Sequence, residues 1–312
     1  MTNTHSFTFG TRGSALARRQ TDTVADRLRD AFPQAAIAVT VFSTRGDREL
    51  DKPLPQIGGK GLFTAELEAA LRDGRIDLAV HSLKDLPTED APGLTIGAVL
   101  PREDPADVLV SRSGYTLETL PAGATVGTSS LRRAAQLLAH RPDLRILPLR
   151  GNVDTRLKKA LDPAGPYNAI ILAAAGLNRM RISDHGGQQI PFAVMLPAPG
   201  QGAVAVQCRA GDEPTLRCLA RLDHLPTRQA VTAERAFLAG LGGGCSVPVG
   251  ALGAVNGETL ILHGVVASVD GTQVVRLREQ GSPHEAEATG RRLAQRALAQ
   301  GAAAILTLTI ND

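Results

Sequence analysis

Apolar residues recur along the first hundred positions in two alternating patterns, and that alternation predicts an α/β unit built on a mostly parallel sheet. Residues 7–12 and 37–43 read as strands, and Ser14 stands where an N-cap belongs, opening a helix to about Ala31. A polar stretch rich in glycine and proline, residues 45–61, has the composition of a mobile surface loop. Helical spacing returns over 62–72. A short, nearly continuous apolar strand follows at 76–80, of the kind buried on both faces. It delivers His81-Ser82-Leu83-Lys84-Asp85 at its C-terminal end, where open α/β sheets place their ligands.

The alternation restarts after Pro101-Arg102-Glu103-Asp104-Pro105. Residues 108–110, 125–127, 145–149 and 169–172 are predicted strands, with helices opening at Ser129 or Ser130 and near Asn152. A second Gly/Pro cluster, Leu196-Pro197-Ala198-Pro199-Gly200-Gln201-Gly202, closes this unit, so two α/β lobes on short connections would enclose a cleft. The character then changes. Thr227 can cap a helix whose Ala230, Ala233, Phe237 and Leu241 form one apolar stripe. Strands at 247–255, 260–268 and 273–278 are joined by Asn256-Gly257 and Asp270-Gly271, strong short hairpin signals. A helix over about 284–300 completes a small α+β domain. The expected division is 1–102 with 201–222, then 103–200, then 223–312.

With 312 residues, 43% of them hydrophobic, the chain can give each of these units its own core. No apolar run approaches the roughly eighteen residues of a membrane span. The segment Met1-Thr2-Asn3-Thr4-His5 has neither the basic nor the greasy character of a secretory leader, so a cytoplasmic protein without a membrane partner is expected. A net charge of +3, two tyrosines and no tryptophan give little basis for nucleic-acid binding. No large apolar stripe is left over, which makes a monomer the default. The cysteines, Cys208, Cys218 and Cys245, are odd in number and lack a Cys-x-x-Cys pair, which suits reduced thiols rather than a disulfide or zinc framework.

Cys208 and Cys218 lie in apolar or helical surroundings and read as small core residues. Cys245 differs. It sits in Gly242-Gly243-Gly244-Cys245-Ser246-Val247-Pro248, where three glycines remove bulk and leave room for a large group on the sulfur. That loop suits an attachment point.

Arginines mark the strand ends. Gly127-Thr128-Ser129-Ser130-Leu131-Arg132-Arg133 combines two hydroxyls, two guanidinium groups and a helix N-terminus, a site for an anion. Alone it reads more readily as a capped helix with solvated arginines. Leu149-Arg150-Gly151-Asn152-Val153-Asp154-Thr155-Arg156 repeats the arrangement, and Arg12-Gly13-Ser14 is a third instance. Arginine grips planar carboxylates and phosphates with two parallel hydrogen bonds, so a ligand bearing many carboxylates would explain the repetition. Gly58-Gly59-Lys60-Gly61 lacks the spacing of a nucleotide-binding P-loop. Asp85, among these cations, should be an anion able to accept N–H donors and stabilise positive charge, although an Asp before Leu86-Pro87 can also simply cap a turn. His81 reads as a packed histidine.

Taken together, Thr11-Arg12 with Ser14, Thr44-Arg45-Gly46-Asp47, Gly58-Gly59-Lys60-Gly61-Leu62-Phe63, Ala79-Val80-His81-Ser82 with Lys84-Asp85, Arg102-Glu103-Asp104-Pro105, the Arg133 and Arg156 motifs, Gly200-Gln201-Gly202-Ala203 and Gly243-Gly244-Cys245 closely resemble the porphobilinogen deaminase family, in the family's order. The resemblance implies two lobes like those of periplasmic binding proteins plus a small C-terminal α+β domain with a three-stranded antiparallel sheet. It implies a transferase that joins four porphobilinogen molecules, with loss of ammonia, onto a dipyrromethane cofactor held by Cys245 through a thioether. The linear tetrapyrrole hydroxymethylbilane is then released by hydrolysis.

By the same resemblance Lys84, Asp85, Ser130, Arg132, Arg133 and Arg156 would hold the cofactor. Arg12, Ser14, Arg150, Arg156 and Arg179 would grip substrate and growing chain. Asp85 would face the pyrrole N–H groups and stabilise the cationic azafulvene left by ammonia, with Arg12, Arg150, Arg156 and Lys60 completing the catalytic set and the 46–61 loop acting as a lid. Gln56, Asp154 and Pro199 depart from the family pattern, which bears on lid behaviour and interdomain motion. Two rivals stand beside this reading. A two-lobed protein could bind an anionic metabolite without chemistry, but it would have no use for Cys245 in its glycine loop. A thiol-nucleophile enzyme would need a histidine near Cys245, and His263, in a predicted strand, is the candidate.

Overall fold

The computed structural model describes residues 6–48, 61–182, 187–243 and 247–311. Its strands, in chain order, are β1 (Ser6–Arg12), β2 (Ala36–Phe42), β3 (Leu78–Ser82), β4 (Leu94–Val99), β5 (Asp107–Val110), β6 (Thr125–Gly127), β7 (Arg145–Leu147), β8 (Ala169–Ala173), β9 (Gln188–Gln189), β10 (Val204–Arg209), β11 (Val249–Asn256), β12 (Thr259–Ala267) and β13 (Val274–Gly281). They form two five-stranded sheets, ordered β2-β1-β3-β10-β4 and β7-β6-β8-β5-β9, and one three-stranded sheet, β11-β12-β13.

The two larger sheets share one plan. In the first, β1 runs parallel to β2 and β3, while β10 lies antiparallel between β3 and β4. In the second, β6 runs parallel to β7 and β8, while β5 lies antiparallel between β8 and β9. The mostly parallel sheet expected from the alternation is therefore mixed. The strand responsible, β10, is buried along nearly its whole length and mostly apolar, and such a run carries no sign of its direction. It returns to the first sheet by a long-range crossover after the chain has built the second.

The caps explain where the elements begin. Ser14 accepts a hydrogen bond from Ala17 N at the start of the helix Ala15–Ala31. The helix Leu225–Gly240 is capped by His224, whose Nδ1 accepts from Thr227 N, rather than by Thr227 itself. Pro226 fits this earlier start, since the first helical turn tolerates the missing N–H. Thr227 is thereby released to accept from Arg102 N at 3.1 Å. The hairpins turn at Gly257 and Gly271, both with positive φ, as their Asn-Gly and Asp-Gly pairs require. Two further differences concern segment ends. Arg45–Arg48, read as loop, forms a helical turn whose Gly46 packs on the Phe63 ring; residues 49–60 lie outside the described residues. The helix expected to end near Gln300 does break there, at Gln300 and Gly301, but the chain then resumes as a further helix, Ala303–Asn311, beyond the expected one.

Each sheet has its own core. Phe9, Val24, Leu28, Leu78 and Val206 pack with Cys208 and Cys218 in the first lobe, which makes these two thiols core residues. Leu109, Val126, Leu137 and Ile171 fill one side of the second sheet. Phe237, Leu262 and Leu293 centre the C-terminal unit. No helix among the described residues is long and apolar enough to cross a membrane.

The crossovers between the lobes run side by side, joined by Leu100 N to Val204 O at 3.0 Å and Glu103 N to Gly202 O at 3.1 Å. A buried ion pair fastens both to the C-terminal unit. Arg102 grips Glu234 with both terminal nitrogens, at 2.5 and 3.1 Å, while Glu234 also accepts from Gly200 N and Gly253 N at 2.7 Å each. The Glu234 side chain is fully buried, so all of its acceptor capacity is spent inside the protein. Glu234→Ala strands the Arg102 charge and should cost about 3–5 kcal/mol in denaturant unfolding; a loss below about 1 kcal/mol would show that the pair does not fasten these segments.

Candidate active site

The C-terminal ends of β1, β3 and β6 and the segment following β7 meet at a cleft of about 1290 Å³. Arg12 ends β1, and Lys84 and Asp85 lie in a single 3-10 turn, Leu83–Asp85, directly after β3. Ser130 caps the helix Leu131–His140 by accepting from Arg133 N, so Arg132 and Arg133 are carried in its first turn. Asn152 occupies the cap of the helix Val153–Leu161, and Arg156 donates Nε to the Gly151 carbonyl at 2.7 Å. The third wall comes from the C-terminal unit through Arg235, Leu238, Gly242, Gly243 and Val247.

Arg12 is held on three sides. Its Nε donates to Asp47 Oδ2 at 3.2 Å, its Nη2 to Asp47 Oδ1, and its guanidinium carbon lies 4.3 Å from the centre of the Phe63 ring. Asp47 in turn accepts from Thr44 N and Thr44 Oγ1. Burial works to raise the Asp47 carboxyl, but hydrogen bonds from Arg12 and Thr44 outweigh it and keep the group below its ordinary range. The remaining terminal nitrogen of Arg12, Nη1, lies 3.9 Å from Asp85 Oδ2. Asp85 is the more open partner, its side chain 32% exposed on the cleft.

Deeper in, Asp107 pairs with both helix-borne arginines. Its Oδ2 accepts from Arg132 Nη1 at 2.8 Å, and its Oδ1 from Arg133 Nη2 at 2.7 Å and Nε at 3.1 Å. Other cations are less well matched. Burial, then repulsion from Arg133, lowers Lys84 to about 8. Burial, then repulsion from Arg133 and Arg150, lowers Arg156 to about 10. Arg156 makes no ion pair among the described residues. Such a site favours an incoming anion, because each carboxylate it receives relieves repulsion already present.

Residues 7–217 match the family model "porphobilinogen deaminase, dipyromethane cofactor binding domain", and residues 228–299 match "porphobilinogen deaminase, C-terminal domain". The chain belongs to the porphobilinogen deaminase family. The porphobilinogen deaminase of Desulforudis audaxviator is 54% identical over 297 residues, covering 95% of this chain and 96% of that protein. That of Roseiflexus castenholzii is 51% identical over 302 residues, covering 97% and 99%. Among solved structures, the methionine binding protein MetQ overlaps 72% of this chain and 90% of its own at 11% identity, with a TM-score of 0.44.

Of the residues that the family resemblance singles out, Arg12, Ser14, Lys84, Asp85, Ser130, Arg132, Arg133, Arg150 and Arg156 all line the cleft. Arg179 is placed differently: at the end of the helix Ala174–Arg179, it donates Nη2 to the Gly202 carbonyl at 2.6 Å. Lys60 and Cys245 lie outside the described residues, as does Gln56. Gly243 and Val247, the described neighbours of Cys245 on either side, both line the cleft. His81 is packed, and burial pushes it down to about 4, so it is neutral at physiological pH. His263 lies in β12 with its ring exposed, outside the cleft wall.

Three residues escaped the sequence reading. Asp47 and Phe63 sit within quoted motifs, but nothing in spacing assigns them to Arg12. Asp107 precedes the apolar run of β5 directly, and a carboxylate at the mouth of a buried strand was the available signal.

The dipyrromethane cofactor of the family fits these residues. Its rings carry carboxylates, and the cleft gathers Lys84, Ser130, Arg132, Arg133 and Arg156 on a wall continuous with the flanks of Cys245.

Asp107 also supplies a pH prediction. Burial opposes its ionisation, but Arg132 and Arg133 outweigh burial and hold the carboxyl far below its ordinary 3.8. The stabilisation is complete above that unfolded value and is lost as pH falls through the lower folded one. Asp107→Asn should therefore lose about 3–5 kcal/mol at pH 7 and show a shallower acid decline below about pH 4 than the wild type. Denaturant unfolding across pH tests this, and equal stability at pH 7 would contradict it.

Proposed function

We propose that this chain condenses four porphobilinogen molecules stepwise, releasing ammonia each time, onto a dipyrromethane primer tethered to Cys245, and then releases hydroxymethylbilane by hydrolysis. The observation that carries the assignment of roles is the convergence of Arg12, Lys84, Asp85, Arg132, Arg133, Arg150 and Arg156 on one cleft whose wall reaches both flanks of the Cys245 loop. A non-catalytic binder would not need that continuity, and the family membership disfavours it.

When bound, the dipyrromethane supplies the nucleophilic pyrrole carbon and the anchor for the growing chain. Lys84, Ser130, Arg132, Arg133 and Arg156 hold its carboxylates. Asp107 fixes the two helix-borne arginines before any ligand arrives, so little ordering is required on binding. Arg12, Ser14 and Arg150 receive the acetate and propionate of the incoming substrate. Arg179 joins them on family analogy, although its side chain is engaged with the Gly202 carbonyl. Lys60 is assigned to the same set on its motif alone.

Asp85 accepts the pyrrole N–H groups. Loss of ammonia from the substrate generates an azafulvenium cation, and a carboxylate close to the ring lowers the barrier to forming it. Arg12 Nη1, 3.9 Å from Asp85, orients that carboxylate without closing a short hydrogen bond on it. The acetate and propionate contacts hold the reacting carbon near the primer, which contributes through proximity. We assign the protein to the cytoplasm as a monomer that needs no nucleic acid. No helix among the described residues is long and apolar enough to cross a membrane.

Intact mass tests the tether. The purified protein should carry an increment of two linked pyrroles that disappears in Cys245→Ser, whereas an unmodified and fully active wild type would overturn the assignment. Asp85→Asn should fold and keep its cofactor while turnover drops by about 10²-fold or more; wild-type rates in that variant would remove Asp85 from the chemistry.

A further inference from the structure

Between the two lobes lies a polar side chain that the mechanism above does not use. Gln201 is 1% exposed and stands on the returning crossover. Its amide meets a different partner at each end. The carbonyl oxygen accepts from Lys84 Nζ at 3.2 Å, and the NH₂ donates to Asp107 Oδ1 at 2.9 Å and to the Pro105 carbonyl at 2.8 Å. Lys84 follows β3 of the first sheet, while Asp107 opens β5 of the second and carries Arg132 and Arg133.

The backbone around Gln201 leaves the side chain little choice of direction. Gly202 has φ +86, and a Cβ built there would lie 2.3 Å from the Glu103 carbonyl oxygen. On the other side Gly200, φ +76, gives its N–H to Glu234. The Gln201 carbonyl accepts from Arg102 Nε at 2.8 Å, and its N–H donates to the Ala198 carbonyl at 2.9 Å. Gly202 must be glycine for the crossovers to run this close, Gly200 is required by its positive φ and by the Leu83 side chain beside it, and the backbone bonds then fix where the amide points.

We infer that Gln201 is a positioning residue which ties the Lys84 ammonium of one lobe to the Asp107–Arg132–Arg133 cluster of the other, setting the spacing at which the two lobes present cations to the cofactor's carboxylates. The amide suits the task because it accepts at one end and donates at the other. A carboxylate would match Lys84 but oppose Asp107; an ammonium would do the reverse. The inference rests on the cofactor-holding role given to Lys84, Arg132 and Arg133.

Lys84 reports on the tie. It feels Arg133 and Arg132 against its charge and Asp85 and Asp107 in favour of it, and Gln201 Oε1 is its hydrogen-bond acceptor among the described residues. Gln201→Met keeps the length and burial but removes that acceptor. Asp107 keeps both guanidinium partners in this variant, so its cluster should survive.

The test is NMR titration of the Lys84 ammonium in the full chain, wild type and Gln201→Met, made in cells that cannot supply porphobilinogen. It is paired with the rate at which each acquires the two-pyrrole mass on addition of porphobilinogen across pH. The wild-type ammonium should titrate near 8. In the variant both the titration and the alkaline fall in attachment rate should move down by about one pH unit or more. A folded variant whose Lys84 titrates where the wild type does would overturn the inference. If Gln201→Met does not fold, Gln201→Asn, one methylene short of spanning both partners, must show the same downward shift or the inference fails. A wild-type chain that never gains the pyrrole mass would instead sink the deaminase reading, and the Lys84 titration would still decide the role of Gln201.

Discussion

Like charges crowded into a partly buried cleft repel one another, and this fold is organised around that repulsion. Arg12, Lys84, Arg132, Arg133, Arg150 and Arg156 line one cavity. Burial alone disfavours each charge, and each neighbour disfavours it further, which is why Lys84 and Arg156 are displaced below their ordinary ranges. The protein offsets part of the cost internally. Asp47 takes Arg12, Asp107 takes Arg132 and Arg133, and Glu234 takes Arg102 behind the crossovers. What is left over is a demand for carboxylates, which a chain of pyrroles bearing acetate and propionate meets ring by ring.

The architecture explains how so many cations reach one place without a dedicated scaffold. Two sheets of one strand order present the ends of their parallel strands, or the segments just beyond them, toward each other, and the strand-to-helix turns there carry Arg12, Arg132 and Arg156 on or beside helix N-termini. Helix starts favour anions independently of any side chain, so the backbone adds to the same field. The C-terminal unit closes the third side and is fastened to both crossovers through Glu234. A carboxylate there is therefore as much a part of the site's geometry as any residue that lines it.

Much of this was legible before folding. Ser14 caps the helix it was expected to cap, Ser130 is the cap of the two serines offered, the Asn-Gly and Asp-Gly hairpins form, and the arginine motifs converge on one cleft, because each is a local rule written in adjacent residues. What escaped was non-local. The direction of β10 depends on where the chain has been before it returns, and no apolar pattern records that. Asp107 meets Arg132 and Arg133 across about a quarter-hundred positions, and Arg179 turns to Gly202, so neither partnership leaves a periodic trace. His224 took the cap expected of Thr227 because Arg102, far away in sequence, engages the threonine hydroxyl.

Carboxylates are what the proposed chemistry requires this cleft to recognise. A porphobilinogen analogue with its acetate and propionate converted to methyl esters keeps the ring and the aminomethyl leaving group but loses both charges. Intact-mass measurement of the holoenzyme after incubation with this diester should show no added pyrrole, and the diester should not slow turnover of the natural substrate. Addition of diester units at a rate comparable with porphobilinogen would contradict the claim, because the ring alone would then suffice.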